Sequence, residues 1–292
     1  MSPPLLLALL LGTAPAPPVR LWFGGDVSLG RNAQALAALG PLVQGLGAGV
    51  VNLEGTVDPD PPGSGKPEVF NAPQTLEAER ALGVAVLGIA NNHAADRGGR
   101  GEVATLAAVR AHGMAPAGRR AGAAVITQGG LRIAITAHDL TQGVPATLRQ
   151  ELQAARGDSQ VLVATFHVSG PPSYLPRPEL REAAAIALEV GARAVLAHGS
   201  HVLGPLERRG DAVIAWGLGN LAFACACTDV TDGLIIGLEL GPGPPVVTLL
   251  PIDAGLRGAP AHPARDPQAI FDLLEALGTP HLQRHGGSAT LP

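Results

Sequence analysis

Short apolar runs alternate along this chain with segments of helical spacing, the pattern of strands followed by helices. VRLWFGG (19–25) reads as a strand and NAQALAALGPLVQGL (32–46) as a helix kinked near Pro41. GVVNLE (49–54) is a strand, PQTLEAERAL (73–82) a helix and VAVLGIA (84–90) the next strand. GEVATLAAVRAHG (101–113) is a helix stopped by glycine. AAVITQGGLRIAITAHD forms a hairpin turning at Gly129 and Gly130. A helix near 145–156 leads to the strand QVLVATFH (160–167), and the helix 178–192 leads to the strand RAVLAHG (193–199). From 202 onward, VLGPLERRGDAVIAWGLG, GLIIGLELG and PVVTLLPID read as adjacent strands with short turns. A helix near 267–277 and a Gly/Ser-rich end finish the chain. Alternating strands and helices followed by a β-meander predict the α/β class in a single domain. Two sheets lie face to face, with helices outside. The expected division is an N-terminal segment 1–18, a domain 19–255 and a peripheral C-terminal helix with a frayed tail over 256–292.

The ends of the predicted strands carry the chemistry. Asp26 follows the first strand, Asn52 and Glu54 close the second, and Asn91, Asn92 and His93 close the third. His167, then His198 and His201, then Asn220 follow later strands. Taken singly, Asp26 or Asn92 is a turn former or helix cap, and His167 a satisfied core histidine. Ligands of open α/β sheets, however, sit beyond the carboxyl ends of strands. Six such ends deliver acids, amides and imidazoles toward one site. Together these groups are a ligand set for Zn, Mn or Fe. A glutamate can bridge two such ions, which would neutralise phosphate oxygens and acidify a water. His93 is then placed to protonate a leaving oxygen.

Composition narrows the partners. The 292 residues carry a net charge of −4 and only 3% aromatic side chains, and no Arg-rich stripe appears, so no nucleic-acid footprint is present. Leu5 to Leu11 form an apolar run too short for a transmembrane helix. Followed by small residues, the run resembles a signal peptide, which implies an exported protein (periplasmic, extracellular or cell-surface). If the run is not a signal, the protein is cytoplasmic. Cys225 and Cys227 are the only cysteines. A disulfide across one intervening residue is strained, so two buried thiols are expected.

Read together, GDVSLGR, VVNLEGTV, GIANNHAADRG, TFHVSG, AHGSHVLGPLE and IAWGLGNLAF resemble the CapA family. These are capsule, or poly-γ-glutamate, biosynthesis proteins related to calcineurin-like metallophosphoesterases. The resemblance implies a four-layer α/β/β/α sandwich. It implies metal ligands at Asp26, Glu54, Asn92, His167, His198 and His201, holding one or two divalent ions (Mn, Zn or Fe). It makes His93 an acid or phosphate contact, with Asp96 orienting His93 or capping the following helix. Asn220 shapes the floor of the site, with Asn52 and Asn91 alongside. Three departures stand out: Ser28 where relatives carry a histidine, HVSGPP without the usual tryptophan and glutamate, and Gly199 at the middle of the closing histidine motif.

Two functions follow from the resemblance. One is metal-dependent hydrolysis of a phosphoester or related bond, with an anionic phosphoester or polymer as substrate and Lys66, Arg97 and Arg177 as anion contacts. The other is a non-catalytic component of envelope-polymer assembly or export that binds polymer or polymer-synthesis proteins.

Overall fold

The computed structural model describes residues 18–58, 69–157, 159–225, 228–241 and 243–292. The apolar run of the N-terminal segment and Lys66 lie outside the described residues. In the first sheet, β1 (Val19–Ser28), β2 (Ala48–Leu53), β3 (Val84–Gly88) and β4 (Ala115–Ala117) are successive parallel neighbours. The second sheet holds β5 (Ala124–Gln128), β6 (Leu131–Asp139), β7 (Val161–His167), β8 (Ala194–His198), β9 (Leu206–Arg209) and β10 (Ala212–Ala215). Its order is β9-β10-β8-β7-β6-β5. The chain then returns to the first sheet with β11 (Asn220–Phe223), β12 (Asp232–Leu240), β13 (Val246–Asp253), β14 (Gln283–His285) and β15 (Ser288–Leu291). That sheet runs β14-β15-β13-β12-β1-β2-β3-β4, with β11 also beside β1.

Strand alternation sorts the apolar residues into layers, because successive side chains point to opposite faces. Val50 and Val86 of the first sheet pack with Ile133, Val163 and Leu196 of the second. Val51 and Leu87, one residue along, face outward and meet Leu76 of α1 (Leu76–Ala81) with Leu106 and Val109 of α2 (Gly98–Ala111). On the outer face of the second sheet, Leu162 and Val195 meet Leu152 of α3 (Leu148–Gly157) and Leu180 of α4 (Pro178–Val190). The result is the α/β/β/α order, in one domain.

Three expectations are corrected. The helix over 32–46 is absent; only a 3-10 turn at Ala37–Leu39 and one helical turn at Gly40–Val43 form. Pro41 has no N–H and so starts a helix rather than continuing one. Gly45 and Gly47 then take φ of 82° and 87°, outside the helical region. The C-terminal residues are not frayed. Ile270, Phe271 and Leu274 of α5 (Pro267–Ala276) and Ala289 and Leu291 of β15 belong to the core between the sheets. Asp266 caps α5 by accepting a hydrogen bond from the Ala269 amide, 3.1 Å away. Cys225 is disulfide-bonded rather than a free thiol. Cys227 lies outside the described residues. Among those residues, no helix is long and apolar enough to cross a membrane.

One buried acid has no part in the site. Glu79 of α1 is fully buried, and neither carboxylate oxygen has a hydrogen-bond partner. Burial pushes its carboxyl up to about 8, so the folded protein holds a proton there that the unfolded chain releases above its ordinary value near 4.5. Stability contributed by this group is therefore full at pH 4.5 and below, and is lost as pH rises to about 8. Glu79→Gln, which cannot ionise, is expected to be more stable than the wild type at pH 8.5 by on the order of a few kcal/mol. Denaturant melts at pH 5 and pH 8.5 check this; a pH dependence identical in both proteins contradicts it.

Candidate metal centre

The site begins with two glycines in β1. Residues 19–23 pair antiparallel with β12, whereas Asp26, Val27 and Ser28 pair parallel with β11. Gly24 and Gly25 make the exchange of neighbours possible. A Cβ on Gly25 would lie 2.0 Å from the Gly219 carbonyl oxygen, closer than any side chain tolerates. The exchange sets Asp26 opposite Asn52 of β2 on one side and Asn220 of β11 on the other. In the second sheet, His167 stands opposite both His198 and Asp139. Past β8 the chain turns through Gly199 at φ 86°, then places His201 at φ 55°. That is a left-handed conformation which a side chain other than glycine adopts at a cost.

All eleven side chains singled out from the sequence join one network with contacts of 4.0 Å or less. Asn52 Nδ2 donates to Asp26 Oδ1 at 2.8 Å and lies 3.3 Å from His167 Nδ1. His167 Nε2 lies 2.8 Å from Asn92 Oδ1. Asn91 Nδ2 donates to Asn52 Oδ1 at 3.3 Å and to the Leu53 carbonyl at 2.8 Å. His201 Nδ1 sits 3.3 Å from Asp26 Oδ2 and 2.9 Å from Asn220 Oδ1. Its Nε2 is 3.8 Å from Glu54 Oε1. His198 Nδ1 is 3.7 Å from Asp26 Oδ1. His93 Nε2 is 4.0 Å from Glu54 Oε1, and its Nδ1 is 2.7 Å from Asp96 Oδ2. Asp96 thus orients His93. It does not cap the following helix, whose N-cap is Arg97 with no side-chain hydrogen bond.

Burial and charge act against each other here. Burial raises the Asp26 carboxyl, but the hydrogen bond and charge of His201, with His198 and His167 behind it, hold it well below the usual carboxylate range. Burial, and after it the Asp26 charge, pushes Glu54 well above that range. Burial pushes His167 down to about 4 and lowers His198 as well. His201 is also buried, yet the hydrogen bond and charge of Asp26, with Glu54 and Asn220 adding, carry it up to about 9.

The residues fit a divalent cation. Asp26, Glu54 and His201 each offer a ligand atom, all within 4.8 Å of one another. Metal–ligand bonds of about 2.1 Å span that spread after shifts of a few tenths of an ångström. Glu54 Oε2 and His198 Nδ1 are buried without a hydrogen-bond partner, a state that favours a missing ligand. Carboxylate and imidazole together suit Mn, Zn or Fe. His198, His167 and Asn92 flank this trio rather than belonging to it.

Two features escaped the sequence reading. The Gly199 amide donates to Asp26 Oδ2 at 2.9 Å, and backbone donors leave no mark in a search of side chains. Gly199 also stands where a Cβ would meet His167 Nε2 at 2.7 Å. Its place between His198 and His201 is a steric requirement here, not a lost histidine. Of the proposed anion contacts, Arg97 Nε is paired with Asp58 at 3.1 Å and Arg177 bonds the Pro171 carbonyl.

A hypothetical protein from Thermus thermophilus has a similar structure, with a TM-score of 0.58 and 14% identity over 80% of this chain and 98% of that one. A putative 5′-nucleotidase from Staphylococcus aureus gives 0.50 at 10% identity, over 88% of this chain and 58% of that one. At such identities the likeness concerns the fold alone. No curated protein matches the chain in sequence. The sequence model of the bacterial capsule synthesis protein PGA_cap matches residues 20–224, from the first strand to just past Asn220. The chain belongs to that family, the bacterial capsule synthesis proteins.

Proposed function

We propose that this protein is a divalent-metal-dependent phosphoesterase acting in capsule or poly-γ-glutamate synthesis. The observation that carries the reading is the meeting of Asp26, Glu54 and His201 next to buried atoms without partners on Glu54 and His198. The name of the similar staphylococcal structure, a putative 5′-nucleotidase, supports a phosphoester as substrate. In this reading Asp26, Glu54 and His201 hold the cation, with His198, His167 and Asn92 beside them. The cation supplies Lewis acidity, neutralising phosphate oxygens and lowering the pKa of water.

The chain's own residues do the rest. Asn52 Nδ2 and the Gly199 amide fix the two Asp26 oxygens, so the carboxylate meets its ligand without reorganising. His167 is neutral at physiological pH because burial lowers it to about 4. Its Nε2 and the Asn92 oxygen share one hydrogen bond. His93 is half-buried. Asp96 accepts a hydrogen bond from its Nδ1, which directs Nε2 toward Glu54 and the site. From there His93 holds or delivers a proton to the leaving oxygen. An exported protein with an anionic phosphoester or polymer substrate, working beside envelope polymer-synthesis proteins, is the biological setting of this proposal.

Two outcomes are expected. Mn²⁺ at about 100 times its Kd stabilises the protein by about 2.7 kcal/mol, read as a rise of several degrees in Tm. Asp26→Asn and His201→Ala abolish that rise. The wild type with Mn²⁺ hydrolyses 4-nitrophenyl phosphate or bis(4-nitrophenyl) phosphate, and His93→Ala lowers kcat by roughly 10²–10⁴-fold with metal content unchanged. Stoichiometric metal without turnover on both esters overturns the enzymatic reading in favour of a polymer-binding component.

A further inference from the structure

A cavity of about 470 Å³ lies at the edge of the second sheet, between α3 and the end of β6. Thr136, His138 and Ser159 form part of its wall, and each is at least nine-tenths buried. The Thr136 and Ser159 hydroxyls and His138 Nε2 are buried and make no hydrogen bond. One such group costs on the order of 1–3 kcal/mol. All three belong to residues of one cavity wall, where the polar groups of a ligand would satisfy them.

The chemistry of the wall defines that ligand. His138 Nδ1 lies 3.3 Å from Glu151 Oε2. Burial lowers the His138 pKa, with the Glu151 charge opposing. With Nδ1 turned to the Glu151 carboxylate, Nε2 is the ring atom left for a ligand. The wall also carries Arg119 and Arg132 beside Glu151, a mixed set of donors and acceptors that suits hydroxyl groups. A hydroxyl donates to Nε2 and accepts from Thr136 or Ser159. The remaining wall includes Ala123, Val125, Ala137 and Ala155 and contains no Phe, Tyr or Trp.

The cavity adjoins a second one that reaches residues of the site network. A second cavity of about 350 Å³ shares Arg119, Ala137, His138 and Glu151 with the first and is lined at its other end by Asn91 and Asn92. We propose that the first cavity is the subsite for the alcohol part of the substrate, a compact polyhydroxylated group such as a sugar or polyol. Thr136, His138 and Ser159 hold it while its phosphate lies at the metal centre. This inference rests on the phosphoesterase reading and narrows its substrate class.

The test compares the wild type with the double variant Thr136→Val, Ser159→Ala, using Mn²⁺ and four esters. These are glucose 1-phosphate, glucose 6-phosphate, glycerol 3-phosphate and 4-nitrophenyl phosphate. The wild type is expected to prefer at least one sugar or polyol phosphate over the aryl ester. The double variant loses about tenfold on that substrate through KM, with the aryl ester unchanged within twofold. Ala155→Phe, which fills the cavity, gives the same selective loss and covers the case of a misfolded double variant. Equal losses on all esters, or no loss on any, overturn the subsite. If the wild type turns over no ester, the phosphoesterase reading has failed, and the subsite is judged on binding alone. Saturation-transfer NMR with glucose and glycerol then shows contacts that disappear in Ala155→Phe. Contacts with acetate but with neither sugar nor polyol mark an anion site and overturn the proposal.

Discussion

The Asp26 carboxylate is the constraint on which the site depends. It is fully buried, and a buried charge costs several kcal/mol unless it is paired and hydrogen-bonded. Its partners come from both sheets. Asn52 belongs to the first sheet, while the Gly199 amide, His198 and His201 follow the second. Satisfying this one group therefore fixes how the two sheets meet at their carboxyl-end rim. The glycines of β1, the left-handed Gly199 and the left-handed His201 are the backbone consequences. Each is a conformation or close approach that ordinary side chains resist. Each lies within one step of Asp26 in the network.

The same logic explains why the centre is poor as pure structure. Two acids and three imidazoles share one buried volume, and Glu54 Oε2 and His198 Nδ1 are left without partners. A chain selected for stability alone would replace such groups with apolar residues. Retaining them is the pattern expected where a site is maintained at a cost in stability. Glu79 shows the contrast. It is buried and unpartnered too, but it stands alone on α1 with no second ligand group, and so it affects stability rather than chemistry.

Much of this was legible in the sequence, for a physical reason. Parallel strands end in polar residues where they reach a site, so Asp26, Asn52, Glu54, Asn92, His93, His167, His198, His201 and Asn220 were visible as interruptions of apolar runs. The strands themselves were visible because burial on both faces leaves continuous apolar segments. Other features were hidden. The helix over 32–46 failed because a proline and paired glycines outweigh helical spacing. The C-terminal strands were masked by their polar, glycine-containing hairpin, whose pairing with β13 is a long-range event. Gly199 looked like an absent histidine, since neither its φ nor the approach of His167 is written locally. Thr136 and Ser159 look like any strand and loop residues until the fold leaves their hydroxyls unsatisfied on one cavity wall.

The central claim is that side chains from separate strand ends form one cation site. Crystals grown with Mn²⁺, with diffraction collected at the manganese absorption edge, test it most directly. The expected result is an anomalous peak about 2.0–2.3 Å from ligand atoms of Asp26, Glu54 and His201. A peak bound elsewhere, with Asp26 still engaged only by Asn52, Gly199 and His201, contradicts it.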